Sequence, residues 1–83
     1  MQDMKTSKIK LNEASEVEEF VKAAGKCDFD IDVFYNRVTI DAKSILGVLS
    51  LDLARVLTVQ MNGDNAEFEE YLDTLAPVST TAA

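Results

Sequence analysis

One stretch of the sequence decides the fold: residues 29–43 read FDIDVFYNRVTIDAK. Phe29, Ile31 and Val33 alternate with aspartates before the dipeptide Asn36-Arg37, and Val38, Ile40 and Ala42 alternate with Thr39, Asp41 and Lys43 after it. Alternation with this period is typical of strands that have one buried face, and two such runs separated by a short turn predict a β-hairpin. A two-residue turn prefers glycine at its second position, so Arg37 is a misfit that favours a slightly longer or irregular turn.

Upstream of the hairpin, the pattern predicts one strand and one helix. Ile9 and Leu11 alternate with lysines, which indicates a short, half-buried strand. The next apolar residues recur at the spacing of one helical face: Val17, Phe20, Val21 and Ala24. Either Asn12 or Ser15 could cap this helix, and Ser15 would form a capping box with Glu18.

Downstream of the hairpin, residues 44–53 are too apolar for an exposed strand and are interrupted by Gly47. We therefore expect a short helix from Ser44 to Leu53, with Ser44 as its N-cap. A last strand follows, in which Leu57, Val59 and Met61 alternate with polar residues.

The final helix is predicted to begin after Gly63, with Asp64 and Glu67 as a capping box. Its buried stripe consists of Phe68, Tyr71, Leu72 and Leu75. Pro77 would end it. The predicted order is therefore β-α-β-β-α-β-α, an α+β fold in which three helices cover one face of a four-stranded antiparallel sheet.

The size of the chain, 83 residues, allows one hydrophobic core and one domain. We expect this domain to span residues 1–77, followed by a frayed C-terminal tail at 78–83, which is small and polar. The sequence contains no apolar run long enough to span a membrane and no secretory leader pattern, so we expect a cytoplasmic protein.

The charge of the chain narrows the class of partner. Fifteen acidic residues against eight basic ones give a net charge of −7, and the basic residues are scattered along the sequence. Direct binding to nucleic acid or to an anionic membrane surface is therefore disfavoured, because both need a basic patch. Proteins are the expected partners.

Enzymatic and metal chemistry have little support in the residues. The chain has no histidine and a single cysteine, Cys27, which we interpret as a packing residue. Asp28, Asp30 and Asp32 lack the following glycine turn and bidentate glutamate of a calcium loop, so they are expected to form a solvated sheet face. No histidine-dependent nucleophile and no glycine-rich phosphate loop is present. We expect no enzymatic activity, no metal and no cofactor.

Two blocks of sequence resemble the family of the phosphocarrier protein HPr. The first is the spacing Ala24-x-Lys26-x-Asp28-x-Asp30 before the hairpin, and the second is KSILGVLSL at residues 43–51 after it. The resemblance implies an HPr-like open-faced β-sandwich, the same architecture that the residue patterns predict. It also places Ser44 at the family's regulatory phosphorylation site.

The resemblance breaks down at the family's phosphoryl-carrier loop, which reads Gly-x-His-Ala-Arg-Pro. Residues 11–16 of this chain read LNEASE, without His, Arg or Pro. Counting back from residues 43–51 without gaps puts Glu13 at the histidine position, whereas matching the first strands indicates a shortened loop. In either alignment the chain lacks the residue that would carry phosphate.

The leading hypothesis is therefore a non-catalytic, HPr-like regulatory protein of the sugar phosphotransferase and carbon-catabolite system. The resemblance implies phosphorylation of Ser44 by HPr kinase/phosphorylase and binding to a catabolite-control transcription factor through Ile45, Leu46 and Leu49. The alternative is an HPr-fold interaction module with a different, unidentified partner, in which Ser44 is a structural cap and is not phosphorylated.

Overall fold

The computed structural model describes residues 5–51 and 55–77 of the chain. The helices and strands follow in the predicted order: β1 (Lys5–Ile9), α1 (Ala14–Gly25), β2 (Ile31–Tyr35), β3 (Val38–Asp41), α2 (Ile45–Leu49), β4 (Leu57–Met61) and α3 (Ala66–Thr74). The predicted α+β class is confirmed. The predicted tail at 78–83 and the end of the predicted second helix, Leu53, lie outside the described residues.

The four strands form one antiparallel sheet in the order β1-β4-β2-β3. Within it, Val59 of β4 lies opposite Ser7 of β1 and Val33 of β2. This register places the apolar members of the strands on one face, because side chains alternate along a strand. The opposite face carries polar residues, including Asp32 directly opposite Asp41.

The core lies between the apolar face of the sheet and the helices. Phe20 of α1 is fully buried, and its ring centroid lies 6.1 Å from that of Phe68 of α3. The other residues predicted to be buried divide into two groups. Fully or almost fully buried are Val17, Phe68, Leu72, Ile31, Val33, Val59 and Met61, whereas Val21, Ile40 and Leu75 are partly buried against that core. The helical and strand periods read from the sequence are therefore confirmed.

The hairpin turn has two residues and an irregular backbone. Tyr35 pairs directly with Val38, so Asn36 and Arg37 alone make the turn. Asn36 has a φ of 56° and is the only non-glycine residue with positive φ in the described parts of the chain. Asparagine tolerates this left-handed conformation. Arg37 does not adopt it, although a regular type I′ turn needs positive φ at both central residues. Of the two expected forms, the irregular turn is confirmed and the longer turn is wrong.

The first strand and the first helix begin earlier than their apolar residues indicate. Strand β1 covers Lys5–Ile9, and Leu11 is buried beyond its end. The N-cap of α1 is Glu13, with an extended backbone, and neither Asn12 nor Ser15 takes that role. The side chain of Glu16 instead accepts a hydrogen bond from the backbone N–H of Asn12 at 2.6 Å, which satisfies a donor at the helix start.

The cap of α3 also differs from the prediction. Its N-cap is Asn65, whose Oδ1 accepts a hydrogen bond from the backbone N–H of Phe68 at 3.0 Å. Asp64 lies one residue too early to cap the helix and pairs with Lys5, its Oδ1 lying 2.6 Å from Nζ. Asp64, the predicted cap, is therefore used in an ion pair between β1 and the start of α3.

Helix α2 is shorter than the predicted range of residues 44–53. It ends at Leu49, with Ser50 as the C-cap. The Ser50 hydroxyl donates to the carbonyl of Gly47 at 2.6 Å, and its backbone N–H donates to the carbonyls of Leu46 and Gly47. Ser50 thus uses the Gly47 carbonyl, and the N–H of Leu51 donates to Val48 instead, so the helical i→i−4 pattern stops here. No helix in the described ranges is long and apolar enough to cross a membrane.

Candidate functional site

Ser44 lies between β3 and α2 and is held on both sides by backbone hydrogen bonds. Its N–H donates to the carbonyl of Asp41 and its carbonyl accepts from Val48, each at 3.0 Å. As the N-cap of α2, its Oγ accepts a hydrogen bond from the N–H of Gly47 at 3.2 Å. The side chain is nevertheless exposed, and its hydroxyl proton is not used by the capping bond, in which Oγ is the acceptor. An enzyme can therefore reach the hydroxyl from solvent.

Beside Ser44, three apolar side chains of α2 face outward, and we name them the α2 patch: Ile45, Leu46 and Leu49. Their exposed fractions are 37%, 78% and 40%. Val48 is the buried residue of this helix and lies in the core. Because α2 uses one side chain for the core, the rest of its apolar surface stays accessible. An exposed apolar patch rimmed by polar residues is a common feature of protein interfaces.

Gly47 allows α2 to lie close to the sheet. A Cβ atom at this position would lie 2.6 Å from Cγ2 of Ile40 in β3 and 3.2 Å from the Oγ of Ser44. Both distances are shorter than ordinary van der Waals contact. Because Gly47 has no side chain, the α2 backbone can pack against the edge of the β-hairpin. Ser44, the N-cap of α2, lies at the same edge.

Lys43, which precedes Ser44, is held at both its backbone and its side chain. Its backbone N–H donates to Oδ1 of Asp41 at 2.9 Å. Its ammonium donates to the carbonyl of Cys27 at 2.9 Å, just beyond the C-terminus of α1. Sequence patterns did not indicate this contact, which joins residues sixteen positions apart.

Cys27 is almost completely buried and belongs to the core. Its Sγ lies 3.8 Å from the carbonyl oxygen of Ala23 and accepts a hydrogen bond from Nδ2 of Asn65 at 3.5 Å. Burial raises the pKa of the Cys27 thiol and outweighs the opposing effect of the Lys43 charge. A raised thiol pKa reduces the thiolate fraction at neutral pH, which fits the packing role inferred from the sequence.

The segment where the family carries its histidine has a different character. Glu13 is exposed at the N-cap of α1, and its side chain makes no capping hydrogen bond. Beside this segment lies an open groove of about 600 Å³, lined by Lys10, Asn12 and Glu16 on one side and by Leu75 and Pro77 at the end of α3 on the other. Sequence patterns did not indicate the groove, since it forms between segments far apart in the chain.

The acidic residues of the sheet do not assemble into a metal site. Asp28 and Asp30 are exposed, and Asp32 is half-buried on the polar face. Within residues 5–51 and 55–77, no group of three or more His, Cys, Asp or Glu side chains is arranged to hold a metal ion.

Comparison with known proteins identifies the family. The family model described as "PTS HPr component phosphorylation site" matches residues 9–80. Among solved structures, the chain is similar to HPr-C-His from Thermoanaerobacter tengcongensis, with 28% identity and a TM-score of 0.68 over 87% of this chain and 88% of that one. It is also similar to the phosphocarrier protein HPr from Bacillus anthracis strain Ames, with 26% identity and a TM-score of 0.68 over 92% and 98% of the two chains. Together with the sheet order and the three helices, these matches show that the chain belongs to the HPr family of the phosphotransferase system.

Proposed function

We propose that this protein is a non-catalytic, cytoplasmic regulatory member of the HPr family that works in sugar transport and carbon-catabolite control. Residues 1–77 act as a single domain whose state is switched by phosphorylation of Ser44. The observation that carries this proposal is the pairing of an exposed serine hydroxyl with the exposed α2 patch on the same short helix.

The carrier role is excluded from this proposal by the chemistry of the chain. Transfer of phosphate through histidine requires an imidazole nitrogen, and the 83 residues contain no histidine. Glu13, near the expected histidine position, offers a carboxylate at the start of α1. The positive end of the helix dipole stabilises a carboxylate at this position. The same negative charge repels an incoming phosphoryl donor.

Phosphorylation of Ser44 would change the surface more than the fold. A phosphoserine carries a charge of about −1.5 to −2 at neutral pH and adds strong hydrogen-bond acceptors. The side chain is already outside the core, so the modified group does not have to be buried. The change is a new anionic group placed beside the apolar α2 patch.

The partners in this proposal are those that the resemblance to the HPr family implies. The modifying enzyme is HPr kinase/phosphorylase, and the reader is a catabolite-control transcription factor. A reader would place apolar side chains against Leu46 and its neighbours and a cationic group against the phosphate, since charge-assisted hydrogen bonds to phosphate are short and strong.

The first experiment is incubation of the full chain with HPr kinase and ATP, followed by intact mass measurement. We expect the mass of one added phosphate. Ser44→Ala should abolish the addition, whereas Ser50→Ala, which removes the other exposed serine hydroxyl of α2, should leave it unchanged. An ordinary HPr in the same tube shows that the kinase is active. An unmodified wild-type chain beside a modified HPr would contradict the regulatory proposal.

The α2 patch is tested by a binding measurement on the phosphorylated protein. Leu46→Asp should weaken binding of the catabolite-control factor, because it places a charge on the most exposed member of the patch. Val38→Asp is the matched control, since Val38 is also an exposed apolar residue but belongs to β3. Equal loss in both variants would contradict the role of the α2 patch.

The alternative function is an interaction module with an unidentified protein partner, in which Ser44 only caps α2. The hydrogen bond between Ser44 Oγ and the N–H of Gly47 favours this reading of the serine. The two functions differ in the kinase experiment, because a purely structural cap does not require modification.

A further inference from the structure

The ammonium of Lys43 makes a side-chain hydrogen bond that links the segment carrying Ser44 to a distant part of the chain. It spans from the residue before α2 to the carbonyl of Cys27, at a distance of 2.9 Å. Lys43 is half-buried, and Cys27 is buried in the core. The contact therefore connects a surface segment to a residue of the hydrophobic core.

The position of the acceptor strengthens this contact. Cys27 follows Lys26, the C-cap of α1, and its own N–H donates to the carbonyl of Ala24. The C-terminal end of a helix carries a partial negative charge, and lysine side chains there bind free carbonyls favourably. The Lys43 ammonium is thus attracted by both the Cys27 carbonyl and the end of α1.

The backbone at Lys43 is also held by hydrogen bonds, so the segment is attached at two places. The Lys43 N–H donates to Asp41 Oδ1, and the next N–H, that of Ser44, donates to the Asp41 carbonyl. Asp41 fixes the segment to β3, and Cys27 fixes it to the end of α1. Ser44 is the next residue in the chain, so both attachments restrict its position.

We propose that Lys43 is a positioning residue for Ser44, in that its bond to the Cys27 carbonyl holds the serine hydroxyl in a fixed orientation relative to the α2 patch. This inference rests on the function proposed above, since it concerns modification of Ser44. A kinase that docks on the α2 patch then finds the hydroxyl at a set place. Loss of the ammonium leaves docking intact and misplaces the reacting group.

The test compares the steady-state kinetics of phosphorylation of the full-length wild type, Lys43→Met and Lys43→Arg by HPr kinase with ATP. In Lys43→Met we expect kcat to fall by about tenfold or more with KM for the protein nearly unchanged, because a small misplacement of a reacting group is costly for the chemical step. Lys43→Arg keeps the charge and the donors and should restore most of kcat. Lys26→Met is the matched control, because Lys26 is exposed and immediately precedes Cys27.

Amide hydrogen exchange provides a second readout that does not involve the kinase. The N–H groups of Gly47 and Val48 donate to the side chain and carbonyl of Ser44, respectively. Their exchange should be faster in Lys43→Met and unchanged in Lys26→Met, as local opening becomes easier when a support is lost. If Lys43→Met does not fold, Lys43→Gln, which removes the charge and shortens the side chain but stays polar, replaces it in both measurements with the same expected result.

The outcomes separate this inference from the proposed function. If wild type is modified and Lys43→Met has the same kcat, the role of Lys43 is overturned and the serine switch stands. A change in KM alone, or an equal loss in Lys26→Met, would show a direct or general charge effect on the kinase and would also overturn it. If the kinase modifies an ordinary HPr but not the wild-type chain, the proposed function fails and the positioning role fails with it.

Discussion

At the scale of single residues, Gly47 determines how close α2 can approach the β-hairpin. Gly47→Ala would bring a methyl group to 2.6 Å from Ile40 Cγ2, and this branch of isoleucine cannot rotate away freely. We expect a loss of about 1–3 kcal/mol in the free energy of unfolding from overpacking, reduced by the better helix propensity of alanine. Urea denaturation measures the change.

The control for that variant is Gly25→Ala at the end of α1. A Cβ atom there meets nothing within 4 Å, so this substitution should be neutral or slightly stabilising. Combining Gly47→Ala with Ile40→Leu, which removes Cγ2 while keeping the side-chain volume, should recover part of the loss. If Gly47→Ala is as stable as Gly25→Ala, the close approach of α2 to β3 does not exist in solution.

Tyr71 is the residue with the clearest pH dependence. Its hydroxyl oxygen is buried without a hydrogen-bond partner, and burial, helped by the charges of Glu19 and Glu16, raises its pKa from 10.0 to about 12. The unfolded chain therefore loses this proton at a lower pH than the folded one. The stability contributed by keeping Tyr71 neutral is complete below pH 10 and is lost as the pH rises from 10.0 to about 12.

Thermal unfolding at several pH values tests this dependence. Tyr71→Phe should be at least as stable as wild type near neutral pH, because it removes a buried, unpartnered hydroxyl. Tyr71→Phe should also lose less stability than wild type at alkaline pH. Tyr35→Phe removes the other tyrosine hydroxyl of the chain and should lose as much stability at alkaline pH as wild type does. The same alkaline profile in all three proteins would contradict the assignment to Tyr71.

At the scale of elements, the two later helices have side-chain caps and the first has none. Asn65→Ala should cost about 1 kcal/mol, since it removes the bond to the Phe68 N–H as well as a contact with the Cys27 thiol. Glu13→Ala should cost less, because the Glu13 side chain makes no capping bond at the start of α1. Chemical denaturation of both variants gives the comparison, and an equal or larger loss in Glu13→Ala would contradict it.

Helix interiors were easier to predict than their ends. The apolar stripe of α1 depends only on the spacing of residues within one helix, and Phe20 at its centre is fully buried as expected. Caps depend on where the chain enters the helix. Asp64 and Asn65 are both suitable N-caps by residue type, and the position of Lys5 near Asp64 distinguishes them. That proximity arises from packing β1 beside α3.

At the scale of the whole molecule, the absence of histidine leads to a prediction about phosphate transfer from enzyme I. Enzyme I with phosphoenolpyruvate should not phosphorylate this protein, because no histidine is available to form a phosphoramidate. The measurement is detection of acid-labile phosphate, with an ordinary HPr as the positive control. Acid-labile phosphate at any residue of the purified protein would show that the chain still acts as a carrier.

The sequence by itself determined the order of the elements, the stripes that form the core and the absence of a phosphate-carrying histidine. Alternation and helical spacing are local properties, so they can be recognised in the sequence without knowing which elements pack together. The tertiary structure alone decided that the Lys43 ammonium reaches the Cys27 carbonyl and that Gly47 lies against Ile40. These contacts join residues whose separation in space depends on how α1, α2 and the hairpin pack together, and the spacing of residues along the chain contains no record of that distance.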